Sequence, residues 1–418
     1  ERAGLFAFGA PREAEVFFSR RVGLDAGIVG GGRTTGQVGF LSVGAMSLRT
    51  DDALPPGVAL PTDPDAVPAA WNTVARAQGV VLPRTTLGAI FTSKDTDRGH
   101  NRVGGADLVT RFWGSSSFLL WASKVWDSDP VGTNPTTGDP LRRDAAQAEL
   151  ILQNDRYMVE VTRTMIGEAF DPALGFVGRS DQHRWGGQVQ FRPRFEQSPW
   201  LRQLFLTAGA NRITGIDRNK QSHLRLLSAR LALQSDDALS VQGEERLERL
   251  TAPDTTNGRE ITAGDYTFRR LSASYSPNRA RALGIRLDGA VGDFWSGRRT
   301  ELGGGFVWIL NRHLTVDSRA SWNDVSLPVP DGDFSTTLLS TRLEAALSRR
   351  LFAYALVQWD DVSNTLQANV RVDWIHTPGS DLFVVFDTGY RTGPLADPRD
   401  PRWLRRTGVV KLTYLKAF

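Results

Sequence analysis

The residues of this chain that could carry chemistry are scattered rather than grouped. Five histidines occur, His100, His183, His223, His313 and His376. Zinc hydrolases place two of them one helical turn apart, as in HxxxH or HExxH, and no pair here has that spacing. Cysteine is absent, so neither a disulfide framework nor a thiolate metal site can form. Neighbouring carboxylates, Asp360 with Asp361, Asp331 with Asp333 and Asp95 with Asp97, could hold a divalent cation weakly. His183 with Asp181 could form an acid–base pair of the kind used by hydrolytic sites on membrane barrels. Each of these falls at an expected strand end or loop, where plain solvated charge explains it. There is no GxSxG elbow and no Walker A loop. Gly30-Gly31-Gly32 opens an extended segment, so a bend or close packing fits it better than a phosphate cradle. The sequence therefore predicts no enzyme, no catalytic residue, no cofactor and no metal.

Charge recurs in a different arrangement. An Arg and an Asp or Glu stand two residues apart in Arg286/Asp288, Asp317/Arg319, Arg342/Glu344 and Arg371/Asp373. Between and around them lie apolar residues in strict alternation. Val370, Val372 and Trp374 oppose Asn369, Arg371 and Asp373; Leu314, Val316, Ala320 and Trp322 oppose Asp317, Arg319 and Asn323. Upstream, Trp185, Val189 and Phe191 oppose Gln188, Gln190 and Arg192, and Ala148, Leu150 and Leu152 oppose Gln147 and Glu149. A period of two is the mark of a strand with one apolar and one polar face.

A soluble sandwich or propeller would alternate in the same way. Three features favour an antiparallel up-and-down β-barrel that spans a membrane. Mixed-sign ladders suit a wet lumen. Segments of ~10–14 residues are long enough to cross a bilayer when tilted. Connections alternate between short and long, as in barrels with short periplasmic turns and long extracellular loops. Examples are Pro378–Ser380 against 391–405, Asn311–Arg312 against Ser326–Asp333, and Asn154–Asp155 against Gly167–Asp181. No run approaches the ~18 apolar residues of a transmembrane helix. The expected lumen-facing residues are Glu149, Gln188, Gln190, Arg192, Arg286, Asp288, Asp317, Arg319, Arg342, Glu344, Arg371 and Asp373. The expected lipid-facing or aromatic-belt residues are Trp185, Phe191, Trp322, Trp374, Phe386, Tyr414 and Phe418.

The pattern counts to about 22 strands, or 20, because bacterial single-chain barrels have even numbers. Reaching the larger number requires Glu13–Val22 as the first strand. Residues 1–418 are expected as one barrel domain, with 1–12 a periplasmic lead-in and no segment resembling a plug. Glu1–Ala10 lacks the basic and apolar regions of a signal peptide, so a mature, trimmed or partial chain is expected. The net charge of +4, from 50 basic and 46 acidic residues, is too balanced for a nucleic-acid binder. The final segment carries Val410, Leu412, Tyr414 and Phe418 on one face, like the terminal signal read by the outer-membrane assembly machinery; Lys416 departs from it.

Several segments resemble one bacterial envelope family. Phe17-Phe18-Ser19-Arg20-Arg21-Val22-Gly23 is close to its FFSRRIG signature. Gly30–Thr50, Arg84–Thr92 and Asn101–Arg111 resemble its following stretches, and Asp373–Phe386 its most distinctive C-terminal pattern. The family is that of the outer-membrane barrels called carbohydrate-binding family nine-like, whose function is unknown. The resemblance covers the barrel only. The soluble sugar-binding-type sandwich that precedes it in full-length members is not in this chain, so no sugar-binding residue carries over. The resemblance implies a bacterial outer-membrane location. Expected partners are the lipid bilayer, the assembly machinery and a plug or accessory protein, with no nucleic acid. The expected function is a channel or uptake component for solutes or oligosaccharides. The alternative is a scaffold anchoring a surface or periplasmic assembly.

Overall fold

The computed structural model describes residues 3–55, 60, 63, 65–135, 138–394 and 401–415. The chain is all-β, and among the described residues twenty-one strands are ten residues or longer. Two 3-10 turns, Ala3–Phe6 and Ser19–Arg21, are its helical elements. It divides into two compact units, Glu1–Phe191 with Ala208–Leu224, and Arg192–Thr207 with Arg225–Phe418.

The first unit carries an antiparallel meander. Its strands are Ile28–Val38, Leu41–Thr50, Ala70–Leu82, Thr85–Thr96, His100–Phe112, Ser116–Asp127, Asp144–Gln153, Tyr157–Ile166 and Gln182–Phe191. Each pairs with the next. The second unit continues in the same manner through Ala238–Leu250, Gly264–Ser276, Leu283–Phe294, Gly297–Asn311, Leu314–Ser326, Phe334–Ala346, Leu351–Asp360, Thr365–Thr377, Ser380–Arg391 and Trp403–Thr413. The strands Leu201–Thr214 and Lys220–Leu233 are divided between the two units.

The connections explain the length pattern read from the sequence. Tight turns occupy 39–40, 83–84, 113–115, 154–156, 312–313 and 378–379. Several hold a residue in the left-handed region, such as Arg84, Trp113 and Gly379, which lets two strands reverse within a few residues. Long segments at the other end cover 51–69, 128–143, 167–181, 251–263, 327–333 and 392–402. Two connections at that end are also short, 97–99 and 295–296, so length alone does not mark the end.

Period two becomes two chemically distinct faces. Register places Leu302 against Trp322, Trp308 against Val316, Val370 against Phe386 and Leu382 against Leu412, so apolar residues of successive strands share a face. That face is bare. Trp185, Phe191, Trp322, Trp374 and Phe386 are 55%, 37%, 38%, 44% and 45% exposed, and Tyr414 stands exposed just beyond the last strand. Leu271, Leu283, Ile285, Leu287 and Val291 are each more than half exposed on the same surface. Apolar surface of this extent in contact with water is costly at ~25 cal/mol/Å² and marks a surface made for another apolar phase. Phe418 and Lys416 lie outside the described residues.

The expected strand Glu13–Val22 is not a wall strand. It contains a two-residue strand, Ala14–Glu15, and the Ser19–Arg21 turn. Ala14–Glu15 pairs with Gly9–Ala10 on one side and with Phe176–Val177 of the 167–181 connection on the other. Nor is the stretch before it a free lead-in, because Leu5, Phe6 and Phe8 are buried against the sheet. Their apolar side chains would be poorly placed in water, and the polar face of the first unit has room for them.

A clasp at one turn of the second unit gives a pH-dependent prediction. Asp237 accepts hydrogen bonds from Ser235 Oγ at 2.7 Å, Asn278 N–H at 2.8 Å and Arg281 Nη2 at 2.7 Å. The Ser235 hydroxyl, then the Asn278 amide and Arg281, hold its carboxyl below the usual carboxylate range. A depressed folded value means the clasp stabilises fully above the ordinary value and is lost as pH falls through the lowered one. Thermal melts of the wild type and Asp237→Asn should therefore differ at pH 7 and converge in acid. A constant difference down to the acid limit would refute this.

Candidate functional site

The polar face of the second unit is built on a repeated device. Arg286 pairs with Asp317, and Arg319 with Asp288 at 3.0 Å. In each case the partners stand on strands that are not neighbours, with Gly297–Asn311 between them. Gly303 and Gly305 lie under the crossing. A Cβ at Gly303 would come 2.1 Å from the Asp288 carboxylate. The glycines thus leave the gap through which long side chains reach across a strand. Arg270 and Glu301 bridge in the same way above Gly292, which faces Arg270 and Arg299 in register. Further along, Arg342 lies 3.9 Å from Glu344, and Asn369 donates to Asp387 at 2.6 Å. Arg371 lies over the Phe383 ring at 4.3 Å and the Tyr354 ring at 5.6 Å. Asp373 shares this face, across from Phe352 and Phe383. Most of these pairs are partly exposed, so each contributes only ~0–1 kcal/mol of stability. Their cost in glycine and desolvation is better explained by what the face presents than by what it stabilises.

Near the 295–296 turn this face forms a recess of about 250 Å³. Trp295, held at φ 50, packs edge-on against Tyr266 at 5.2 Å and Phe268 at 5.5 Å. Arg299 lies 5.3 Å over Phe294. Glu244, Arg246, Arg270 and Glu301 line the remainder. The 251–263 connection leans on the 327–333 connection here, with Ile261, Val325 and Leu327 buried together and Arg259 over Phe334 at 4.2 Å. Aromatic surfaces beside charges of both signs can take up a polar solute by stacking and hydrogen bonding.

The polar face of the first unit is covered by the chain's own beginning. Phe8 packs on Trp121 with ring centroids 5.9 Å apart and lies under Arg76 at 5.3 Å. A Cβ at Gly105 would come 2.5 Å from the Phe8 ring, and one at Gly44 2.7 Å from Leu5. Arg76 donates to both oxygens of Asp107, at 2.6 and 2.9 Å, above Gly88. Glu13 pairs with Arg184, and Gly178 N–H bonds Glu13 carbonyl at 2.9 Å. Phe170 and Leu174 of the 167–181 connection join the same buried cluster.

The residues singled out in the sequence are thereby placed. Glu149, Gln188 and Gln190 share the covered face with Arg184, and Gln188 donates to Glu160 at 2.7 Å. Arg192 follows directly after Phe191. Arg76, Asp107, Trp121 and Glu13 were not singled out, and neither was the aromatic recess. The signal for them was glycine inside strands, at Gly88, Gly105 and Gly303–Gly305, which alternation treats as blank. One carboxylate of each of three candidate pairs is engaged in local structure. Asp181 accepts from Ile216 N–H at 2.8 Å, Asp360 from Val362 N–H at 2.8 Å and Asp95 from Arg102 at 2.9 Å. Among the described residues no group of three or more His, Asp or Glu could hold a metal ion.

No protein-family model matches the chain, and no curated protein resembles it. Among solved structures it is similar to a mutant of the ferric enterobactin receptor of Pseudomonas aeruginosa, at 11% identity and TM-score 0.49 over 90% of this chain and 73% of that one. It is similar also to a copper transporter, OprC, at 11% identity and TM-score 0.39 over 91% and 69% of the two chains.

Proposed function

We propose that the two units form one closed antiparallel barrel in a bacterial outer membrane, acting as an uptake component for polar solutes, oligosaccharides included. The observation that carries this is the division of every long strand into a bare apolar face and a face of paired charge. Only a closed sheet in lipid satisfies both faces and all backbone groups together. The polar face is then the lumen. The N-terminal segment is a built-in plug over part of it, and the charged, aromatic recess is a contact point for solute. The resemblance to the carbohydrate-binding family nine-like barrels points the same way.

Planar-bilayer conductance of the purified chain tests the reading. The expected result is insertion with ion conductance. Arg286→Glu with Arg319→Glu should shift selectivity toward cations by replacing two positive charges of the lumen wall with two negative ones. Bilayers that stay sealed, even with variants that dislodge the N-terminal segment, would overturn it.

A further inference from the structure

We propose that Arg163 and Trp185, on the apolar face of the first unit, hold the phosphate-bearing headgroup of a membrane lipid. This rests on the membrane reading above. Arg163 stands directly across from Trp185, and its neighbours Thr162 and Thr164 are buried on the opposite, covered face. Its guanidinium lies 4.3 Å over the Trp185 ring and within 2.7 Å of His183 Nδ1. Several arginines of the apolar faces have carboxylates, Arg102 with Asp95, Arg249 with Asp265 and Arg269 with Glu245, whereas Arg49, like Arg163, lies over an indole, 5.7 Å from Trp71. Arg163 has none among the described residues. An unpaired cation on a lipid-facing wall is unfavourable unless it finds an anion or snorkels to the interface.

The carboxylates nearby are taken by other partners. Arg142, Arg163 and Arg218 act electrostatically on His183, opposed by Asp181, and Glu168 accepts from the Arg142 amide. Arg142 is already chelated by Asp144, and Asp181 is turned to the Ile216 amide. Asn211 comes within 4 Å of a Cβ placed at Gly186, on the covered face, so its neighbour Arg212 lies on the apolar face and is exposed there. Arg163 and Arg212 thus stand on the two strands that flank Gln182–Phe191, the strand that carries Trp185. A guanidinium presents five N–H donors in a fork matched to phosphate oxygens. His183 engages one part of that fork. Phosphate supplies the missing acceptor, and the acyl chains of the same molecule lie along Val161, Val189 and Phe191, which are exposed on the same face. A lipid satisfies both requirements at once, whereas free phosphate satisfies only the first.

The test reconstitutes the full chain into phosphatidylcholine vesicles containing a minor share of diphosphorylated lipid A. The lipids retained on extraction are then quantified by mass spectrometry. The expected result is about tenfold enrichment of the phosphorylated lipid over its dephosphorylated form, the scale of one good charge-assisted contact. Arg163→Ala with Arg212→Ala should abolish the enrichment, and Arg163→Lys should keep part of it, while heat-modifiable mobility shows the barrel still folded. Insertion without enrichment, or enrichment unchanged in the double variant, overturns the lipid assignment alone. Full displacement by millimolar inorganic phosphate also overturns it. Failure to insert overturns the membrane reading and this proposal together.

Discussion

Asp107→Ala is expected to destabilise the protein by about 3–5 kcal/mol, the usual cost of stripping one partner from a buried ion pair. The Arg76 side chain is 2% exposed and that of Asp107 19%. The carboxylate takes both forks of the guanidinium, at 2.6 and 2.9 Å. Phe8 covers the guanidinium, and Arg76 Nε already lacks a hydrogen-bond partner. Without Asp107, the charge would remain under an aromatic ring with only Gln78 at 3.5 Å to receive it. Asp107→Asn should cost less, because one acceptor survives. Arg76→Met with Asp107→Leu should lie near the wild type, because nothing charged is left behind. Unfolding in detergent, followed by denaturant titration, reads all three. A loss below about 1 kcal/mol for Asp107→Ala would mean that water reaches Arg76 through the N-terminal segment.

The pair also marks where sequence reading stops. Alternation reaches as far as a single strand reaches. It separates Arg286 and Asp288 from Leu283, Ile285 and Leu287, because side chains two residues apart must share a face whatever the strand pairs with. It carries no information about which residue of one strand meets which residue two strands away. Arg76 and Asp107 are thirty-one positions apart and meet diagonally over Gly88, which is in register with Asp107 and leaves room for the crossing. The same holds for Arg286 and Asp317 over the run Gly303–Gly305.

The N-terminal segment was illegible for a related reason. Glu13–Val22 contains apolar residues at plausible strand spacing, and a strand template accepts it. Its partners, Gly9–Ala10 and Phe176–Val177, are too short to register as strands in any window. Only three-dimensional proximity shows that Phe6, Phe8 and Val16 belong to a core shared with Trp121, Ile166 and Leu174. The aromatic recess was hidden differently. Trp295 falls in a two-residue turn, and alternation along the strands says nothing of what a turn residue packs against.

The second large effect should come from Gly105→Leu. The Phe8 ring rests on Gly105, where even a Cβ would come within 2.5 Å of it, and the backbone oxygen of Ala122 at 3.1 Å leaves no sideways escape. The wall strand is fixed by pairing on both sides, so the segment must yield rather than the sheet. Losing the burial of one Phe side chain costs ~1.5–3 kcal/mol. What else holds the segment is two short strand pairings, the Glu13–Arg184 ion pair and the Leu5 side chain and Phe6 ring over Gly44. Such contacts open locally at free energies well below global unfolding. Amide exchange of residues 5–17 should therefore accelerate by tenfold or more for about 1.4 kcal/mol of lost docking energy, with wall strands unchanged. In a bilayer the same variant should raise conductance, if the covered face is a lumen. Phe8→Gly combined with Gly105→Leu separates the causes. Removing the ring relieves the clash, so exchange should stay fast from lost packing, while cross-linking of Glu13→Cys to Arg184→Cys should restore both the closed exchange pattern and the low conductance. If exchange quickens in Gly105→Leu but conductance does not move, the segment covers the wall without closing a path, and the plug role falls while the fold stands.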